Sequence, residues 1–135
     1  MRKALIFGGQ GQDGVIITNY LIKKKYKVIS TSRKKEKKII NLSKNLIYKK
    51  CDISESKKVF KIIKNFKPDE IYNFAAVSTI HQSEKNIINN DRINCFSILK
   101  IYEFLKKIKY KGKFFQSLSA ELFGNYNKVK QINFK

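Results

Sequence analysis

The first 21 residues, MRKALIFGGQGQDGVIITNYL, contain the stretch that decides the fold. The apolar run Ala4–Phe7 predicts a buried strand, and Val15–Lys24 predicts a helix. Between them, Gly8, Gly11 and Gly14 form the pattern G-x-x-G-x-x-G. One glycine there permits a tight turn, a second lets backbone approach a pyrophosphate, and a third lets helix and strand pack closely. A strand-to-helix turn without a ligand also fits, but we favour a dinucleotide cradle at the N-terminus of the helix.

Strand and helix patterns alternate along the rest of the chain. Further strands are predicted at Lys27–Thr31, Leu46–Lys49, Glu70–Phe74 and Lys113–Gln116. Two further helices are predicted. The first is capped by Ser54 and has one apolar face, formed by Val59, Ile62, Ile63 and Phe66. The second covers Asn86–Lys109 and has an apolar stripe formed by Ile101, Phe104, Leu105 and Ile108. Strands separated by helices require right-handed crossovers. The pattern therefore predicts a doubly wound, parallel α/β sheet of the Rossmann type, with five strands in the order 3-2-1-4-5.

The charge of the chain is strongly positive. It has 135 residues with 30 Lys and Arg against 10 Asp and Glu, a formal net charge of +20. The lysines are spread along the whole chain, and no nucleic-acid recognition motif with interleaved aromatic residues appears. We therefore expect attraction to phosphate-bearing ligands and non-specific attraction to polyanions, but no specific nucleic-acid function.

Membrane and metal signals are weak. No stretch of the sequence approaches the roughly 20 apolar residues of a membrane span, and the first apolar run is too short for a signal peptide. A cytoplasmic protein is expected. Cys51 and Cys95 have no Cys or His partner at ligand spacing, so we interpret them as reduced thiols and predict no metal site. The one histidine, His81, is interpreted as a solvated loop residue.

The end of the second strand indicates which dinucleotide fits. An NAD-binding protein usually has an acidic residue there that binds the ribose 2′-OH. This chain has Arg33 and Lys34 at that point, and the first acid is Glu36. A 2′-phosphate would find charge-assisted hydrogen-bond donors, so NADP is the preferred cofactor. The alternative is a solvated basic loop.

The ends of the third and fourth strands give weaker signals. Asp52-Ile53 follows the third strand and either meets the adenine or turns into the next helix. Ala75-Ala76 follows the fourth strand. Residues that small would let a dinucleotide cross close to the backbone, although small residues also simply pack well.

Five segments together resemble a known family. GGQGQDG, TSR, CDI, KPDEIYNFAAVS and QSLSAELFG occur in the order in which the extended short-chain dehydrogenase/reductases carry their counterparts. GQDG and PDEIYN make the resemblance closest to the GDP-mannose 4,6-dehydratase family. The resemblance covers essentially all 135 residues, but only the N-terminal part of such an enzyme.

The resemblance implies a set of site residues. Those that line the cofactor would be Gly8, Gly9, Gln10, Gly11, Gln12, Asp13, Gly14, Arg33, Asp52, Ile53, Phe74, Ala75, Ala76, Val77 and Ser78. It also implies a hydro-lyase that oxidises the sugar at C4, loses water across C5 and C6, and returns the hydride to C6 through NADP. Ser119 would hydrogen-bond the sugar hydroxyl and Glu121 would be the acid/base.

Several positions depart from the family pattern. Val77 stands where relatives usually have Gln, Leu118 where they have a small residue, and Phe123 where Tyr is common. Tyr126 and Lys130 fit Tyr-x-x-x-Lys but follow Gly124 too closely to be the family's catalytic pair. We therefore predict that residues 1–135 form an NAD(P)-binding domain that stops before the helix with the family's Tyr-x-x-x-Lys pair and before the nucleotide-sugar domain. We expect this part to be inactive alone. We expect the full-length enzyme to be a homo-oligomer.

Two other functions stay open at this point. One is another extended short-chain enzyme, an epimerase or reductase acting on a different nucleotide sugar. The other is a non-catalytic module that binds a dinucleotide without turnover.

Overall fold

The computed structural model describes residues 1–34, 43–77 and 87–118, apart from the side chain of Asn89. Within these ranges the elements are β1 (Lys3–Phe7), α1 (Gln12–Lys23), β2 (Lys27–Ser32), β3 (Leu46–Lys50), α2 (Ser56–Phe66), β4 (Glu70–Asn73), α3 (Ile87–Asp91), a π-helical turn (Arg92–Phe96), α4 (Ser97–Lys107) and β5 (Lys113–Gln116). None of the helices within these ranges is long and apolar enough to cross a membrane.

The strands form one parallel sheet in the order β3-β2-β1-β4-β5, which confirms the predicted topology. β1 is central, and Ile6 pairs in register with Ser30 of β2 and Tyr72 of β4. Because the strands are parallel, their carboxyl ends all meet at one edge of the sheet. The site described below lies at that edge.

The side chains of β1 alternate between two apolar layers. Leu5 and Phe7 face α2 and α4 in one layer, while Ala4 and Ile6 face α1 in the other. All four are fully buried, since helices cover both faces of a doubly wound sheet. The near-continuous apolar run of β1 follows from this double burial.

A buried carboxylate fixes the opposite, amino-terminal edge of the sheet. Arg2 Nη2 lies 2.6 Å from Glu70 Oε1, and the Tyr72 hydroxyl donates to Glu70 Oε2 at 2.7 Å. Tyr26 also donates to Glu70, at 3.3 Å. Burial, followed by the bond to Glu70, raises the pKa of Tyr72. These contacts tie the starts of β1, β2 and β4 together, far from the carboxyl edge.

Three helix boundaries differ from the sequence predictions. α1 begins at Gln12, so that Gly14 lies inside the helix. Ser54 does not cap α2: the cap residue is Glu55, and the Ser54 amide instead donates to Asp52 Oδ1 at 2.8 Å. The predicted helix over 86–109 is interrupted by the π-helical turn, and Ile108 is exposed at its end. The sequence also predicts a short helix around 38–42, and these residues lie outside the described ranges.

Candidate functional site

A cleft of about 320 Å³ opens at the carboxyl edge of the sheet, within the size range of small-ligand sites. It lies beside β1, where the chain order of the sheet reverses. Ligands of doubly wound sheets bind at such a switch point. The cleft is lined by Phe7, Gly8, Gln10, Gly11, Thr31, Ser32, Arg33, Lys34, Cys51, Ile53, Phe74, Ala75, Ala76 and Ile93.

The turn after β1 requires glycine for steric reasons. Gly8 has φ +76°, and a Cβ there would lie 2.7 Å from the backbone nitrogen of Ala75. A Cβ on Gly14 would lie 2.6 Å from the Cα of Gly9, so only glycine lets α1 pack onto the turn. A Cβ on Gly9 would collide with the hydroxyl of Ser30. The three glycines therefore let the turn pack closely against α1, β2 and the segment after β4.

The N-terminus of α1 faces this turn without a side-chain cap. Gly11 is the cap residue, and its amide donates to the carbonyl of Gly8 at 2.9 Å. The first amides of a helix have no intrahelical acceptor and carry the positive end of its dipole. Gln12 and Asp13 supply the first of these amides, although their exposed side chains do not line the cleft. This is the arrangement that binds phosphates at helix N-termini.

The loop after β2 places two cations on the cleft wall. Arg33 and Lys34 are exposed, and neither pairs with an acid among the residues that the structure describes. The Ser32 hydroxyl donates to Gln10 Oε1 and accepts the amide of Lys34, each at 3.2 Å, which joins this loop to the glycine turn. A guanidinium on this wall is suited to a phosphate because its planar donors bind two oxygens at once.

The end of β3 contributes apolar surface to the cleft. Ile53 and Cys51 are buried and line it. Burial, then the nearby Glu55 carboxylate, raises the pKa of Cys51 to about 11, so its thiol is neutral and unreactive at ordinary pH. Asp52 does not line the cleft, and its Oδ1 holds the turn into α2. Asp52 thus has a role in the turn, and its contact with an adenine stays a prediction.

The segment after β4 forms the opposite wall. Phe74, Ala75 and Ala76 line the cleft, whereas Val77 does not. Asn73 is fully buried, and its Oδ1 accepts the Ala75 amide at 3.0 Å. Its Nδ2 donates to Gln116 of β5 at 2.8 Å. This buried amide sets the course of the chain as it leaves the sheet.

Comparison with known proteins assigns the chain to a family. The model of the GDP-mannose 4,6 dehydratase family matches residues 5–133. The chain belongs to this family. GDP-mannose 4,6-dehydratase of Yersinia enterocolitica is 27% identical, over 97% of this chain and 39% of the relative. The Vibrio cholerae enzyme of the same name is 30% identical, over 95% of this chain and 38% of the relative. The chain thus spans about two fifths of the length of these relatives.

A solved structure agrees with the fold. The enzyme WbmH of Bordetella bronchiseptica, crystallised in complex with NAD⁺, superposes with a TM-score of 0.79 at 23% identity, over 92% of this chain and 41% of WbmH. This likeness and the family match confirm the predicted Rossmann-type fold and the predicted resemblance to extended short-chain dehydrogenase/reductases.

The structure brings together only part of the residue set that the resemblance to GDP-mannose 4,6-dehydratases implied. Gly8, Gln10, Gly11, Arg33, Ile53, Phe74, Ala75 and Ala76 line the cleft. Gly9 and Gly14 lie behind it as packing residues. The predicted residues Ser78, Ser119 and Glu121 lie outside the described residues, as do Glu36, His81, Phe123, Tyr126 and Lys130.

Several residues of the cleft wall were not predicted from the sequence. Phe7, Thr31, Ser32 and Cys51 line it because each stands at the carboxyl end of a parallel strand or just after it. The rule that ligands bind at that edge could have found them. Ile93 reaches the cleft from the π-helical turn, and no local pattern indicates such a contact.

Proposed function

We propose that residues 1–135 are the dinucleotide-binding domain of an NADP-dependent nucleotide-sugar 4,6-dehydratase that acts on GDP-mannose. The observation that carries the proposal is the cleft, where a glycine turn, an uncapped helix N-terminus and Arg33 meet at the switch point of the sheet. Membership of the GDP-mannose 4,6 dehydratase family supports the substrate.

The pyrophosphate fits the glycine turn. Gly8 and Gly11 present backbone without side chains at the mouth of α1, and Ala75 and Ala76, whose segment passes close beside Gly8, also line the cleft. Phosphate oxygens can therefore approach the free amides of the first helical turn. The carboxylate of Asp13 stands exposed in that same turn, where it stabilises the helix dipole but repels phosphate. Backbone amides must accordingly supply most of the attraction.

The 2′-phosphate fits the loop after β2. Arg33 and Lys34 are free of acidic partners within the described ranges, so binding a phosphate there breaks no existing ion pair. Their positive charge favours NADP over NAD, whose 2′-OH would instead need a carboxylate acceptor. Bound NADP would accept and return the hydride, and the residues above would hold and orient it.

Catalysis belongs, in this proposal, to a longer enzyme. Ser119 would hydrogen-bond the sugar hydroxyl, and Glu121 would move the proton at C5. Because the chain spans about two fifths of its relatives, we expect it alone to bind the dinucleotide without turning over a nucleotide sugar. We expect the longer enzyme to be a homo-oligomer in the cytoplasm.

Calorimetry with the variant Arg33→Ala tests the cofactor preference. We expect the wild-type chain to bind NADPH more tightly than NADH. Removal of a charge-assisted contact should weaken NADPH binding by about tenfold to a hundredfold and leave NADH binding nearly unchanged. Arg92→Ala is the matched control, because Arg92 is an exposed arginine that does not line the cleft. Equal affinities of the wild type for the two cofactors would overturn the NADP assignment.

Product analysis of the longer enzyme tests the reaction. Incubation with GDP-mannose should yield a 4-keto-6-deoxy sugar, detectable by mass as the loss of one water. A C4 epimer of unchanged mass would instead identify an epimerase, the alternative kept open above. Substitution Glu121→Gln should lower kcat strongly while leaving NADPH affinity unchanged, because the glutamate would act on the sugar.

A further inference from the structure

The segment after β4 is held by one side chain of the π-helical turn. Asn94 Oδ1 accepts the backbone amide of Val77 at 2.9 Å, and Asn94 Nδ2 donates to the carbonyl of Val77 at 3.0 Å. A single side-chain amide thus satisfies both backbone groups of one residue, as a neighbouring strand would. Val77 lies beyond the end of β4, where the sheet no longer supports the chain.

The π-helical turn sets two neighbouring residues at the same wall of the cleft. Ile93 is buried and lines the cleft, while Asn94 bonds to Val77 in the segment after β4. The Ser97 hydroxyl donates to the carbonyl of Arg92 at 2.6 Å, and the Ser97 amide donates to the same carbonyl. The five-residue spacing of the turn is therefore supported by a buried side chain. Single π-helical turns inside α-helices occur frequently at functional sites.

The Asn94 contact completes a series of supports along the cleft wall. The Phe74 amide donates to Phe7 at 3.0 Å, and the Ala75 amide donates to Asn73 Oδ1 at 3.0 Å. The two bonds to Asn94 hold Val77, so Ala76 is fixed from both sides. These residues follow β4, and the backbone of Phe74 and Ala75 lies against Gly8 of the glycine turn.

We propose that Asn94 is a positioning residue that holds the post-β4 segment in the conformation that the dinucleotide requires. The proposal rests on the proposed function, since it assigns Asn94 a role in forming that cleft. Asn94 itself does not line the cleft and acts through Val77 and Ala76. Loss of both hydrogen bonds should leave the fold intact, because Asn94 is exposed and outside the apolar core.

Two variants separate the two hydrogen bonds. Asn94→Leu removes both at similar size, whereas Asn94→Asp keeps the acceptor for the Val77 amide and sets a carboxylate against the Val77 carbonyl. Asn65→Leu and Asn65→Asp are the matched controls, because Asn65 is an exposed helical asparagine that does not line this cleft. Hydrogen exchange at the Val77 amide reports on the contact itself, and titration with NADP reports on its role.

The expected results form a pattern that a general loss of stability would not produce. The Val77 amide should be protected in the wild type and in N94D, and should exchange faster in N94L. At pH 8, NADP binding should weaken about tenfold in N94L, which loses both hydrogen bonds, and less in N94D, which keeps one, and it should stay unchanged in the controls. Near pH 4, about the ordinary pKa of an aspartate, the NADP affinity of N94D should move closer to that of the wild type, because a protonated carboxyl can donate to the Val77 carbonyl.

Two outcomes would overturn the inference. If N94L binds NADP as tightly as a wild type that does bind, Asn94 has no positioning role and the proposed function stands. If the Val77 amide exchanges equally fast in wild type and N94L, the contact does not hold the segment. Absence of NADP binding by the wild type is a separate result that contradicts the proposed function itself.

Discussion

At Gly8 the chain leaves β1 with a positive φ while the backbone after β4 passes close beside it. Two independent constraints thus fall on one residue, a left-handed conformation and a lack of space for any Cβ. Gly11 carries neither to the same degree: its φ is −73°, and a Cβ there would meet only the Gly8 carbonyl, at 3.3 Å. The pattern of glycines in the sequence does not distinguish these roles, but the structure does.

Substitution Gly8→Ala should lower the free energy of unfolding by about 2–4 kcal/mol, from backbone strain and from collision with Ala75. Gly11→Ala is the control and should stay within about 1 kcal/mol of the wild type. Urea unfolding of the three proteins measures both values. Equal stability of Gly8→Ala and wild type would mean that the turn after β1 is not built as described.

At the scale of elements, the packing of α2 on α4 covers one face of the sheet. The rings of Phe60 and Phe104 stack with centroids 4.1 Å apart and an interplanar angle of 9°. Val59, Ile63 and Ile101 are buried in the same layer. Since this layer supports the strands that end in the cleft, loosening it should affect stability before it affects the shape of the cleft.

Phe104→Ala should lower the free energy of unfolding by about 3–5 kcal/mol, because the ring is buried between α4 and α2. Leu99→Ala on the exposed side of α4 should change it by less than about 1 kcal/mol. A double-mutant cycle with Phe60→Ala should return a coupling of about 0.5–1.5 kcal/mol for the stacked pair. A coupling near zero would contradict the stacking.

The helices and strands also show which parts of the fold could be predicted from the sequence. Hydrophobic periodicity and short connections were enough to predict five parallel strands in the observed order, because these signals arise from local geometry and from double burial. The boundary of α2 was predicted wrongly: the Asp52 side chain holds the Ser54 amide in a turn ahead of the helix, and the cap falls one residue later, at Glu55. The Asn94 contact joins residues 17 positions apart, and the π-helical turn rests on bonds between Ser97 and Arg92; neither leaves a periodic signal in the sequence.

The location of the candidate site, but not all of its residues, could be predicted from the order of the strands. Gly8 and Ala75 could be placed at the cleft because the carboxyl ends of parallel strands converge. Ile93 could not, because its position depends on how a distant helix packs. The family resemblance supplied Gly9 and Gly14 as cofactor residues, which stays a prediction, and the structure adds that neither position has room for a Cβ.

At the scale of the whole molecule, the charge of +20 affects every binding measurement. A second concavity of about 750 Å³ lies between α2 and α4 and is lined by five lysines, Lys57, Lys61, Lys64, Lys100 and Lys107, with Glu103 as the acid. An anionic dinucleotide will be attracted to such surfaces without any specific site. A measured affinity alone therefore does not show that NADP binds in the cleft. The residues at which it binds have to be located.

The most direct measurement is the set of backbone amide chemical shifts of the chain during titration with NADP at about 150 mM salt, where long-range attraction is screened. We expect saturable shifts at Gly8, Gln10, Gly11 and Ala75, with the amides of Lys61 and Lys107 unchanged. Shifts confined to the lysine-lined concavity, or no saturable shift at the glycine turn, would contradict a dinucleotide site at the carboxyl edge of this sheet.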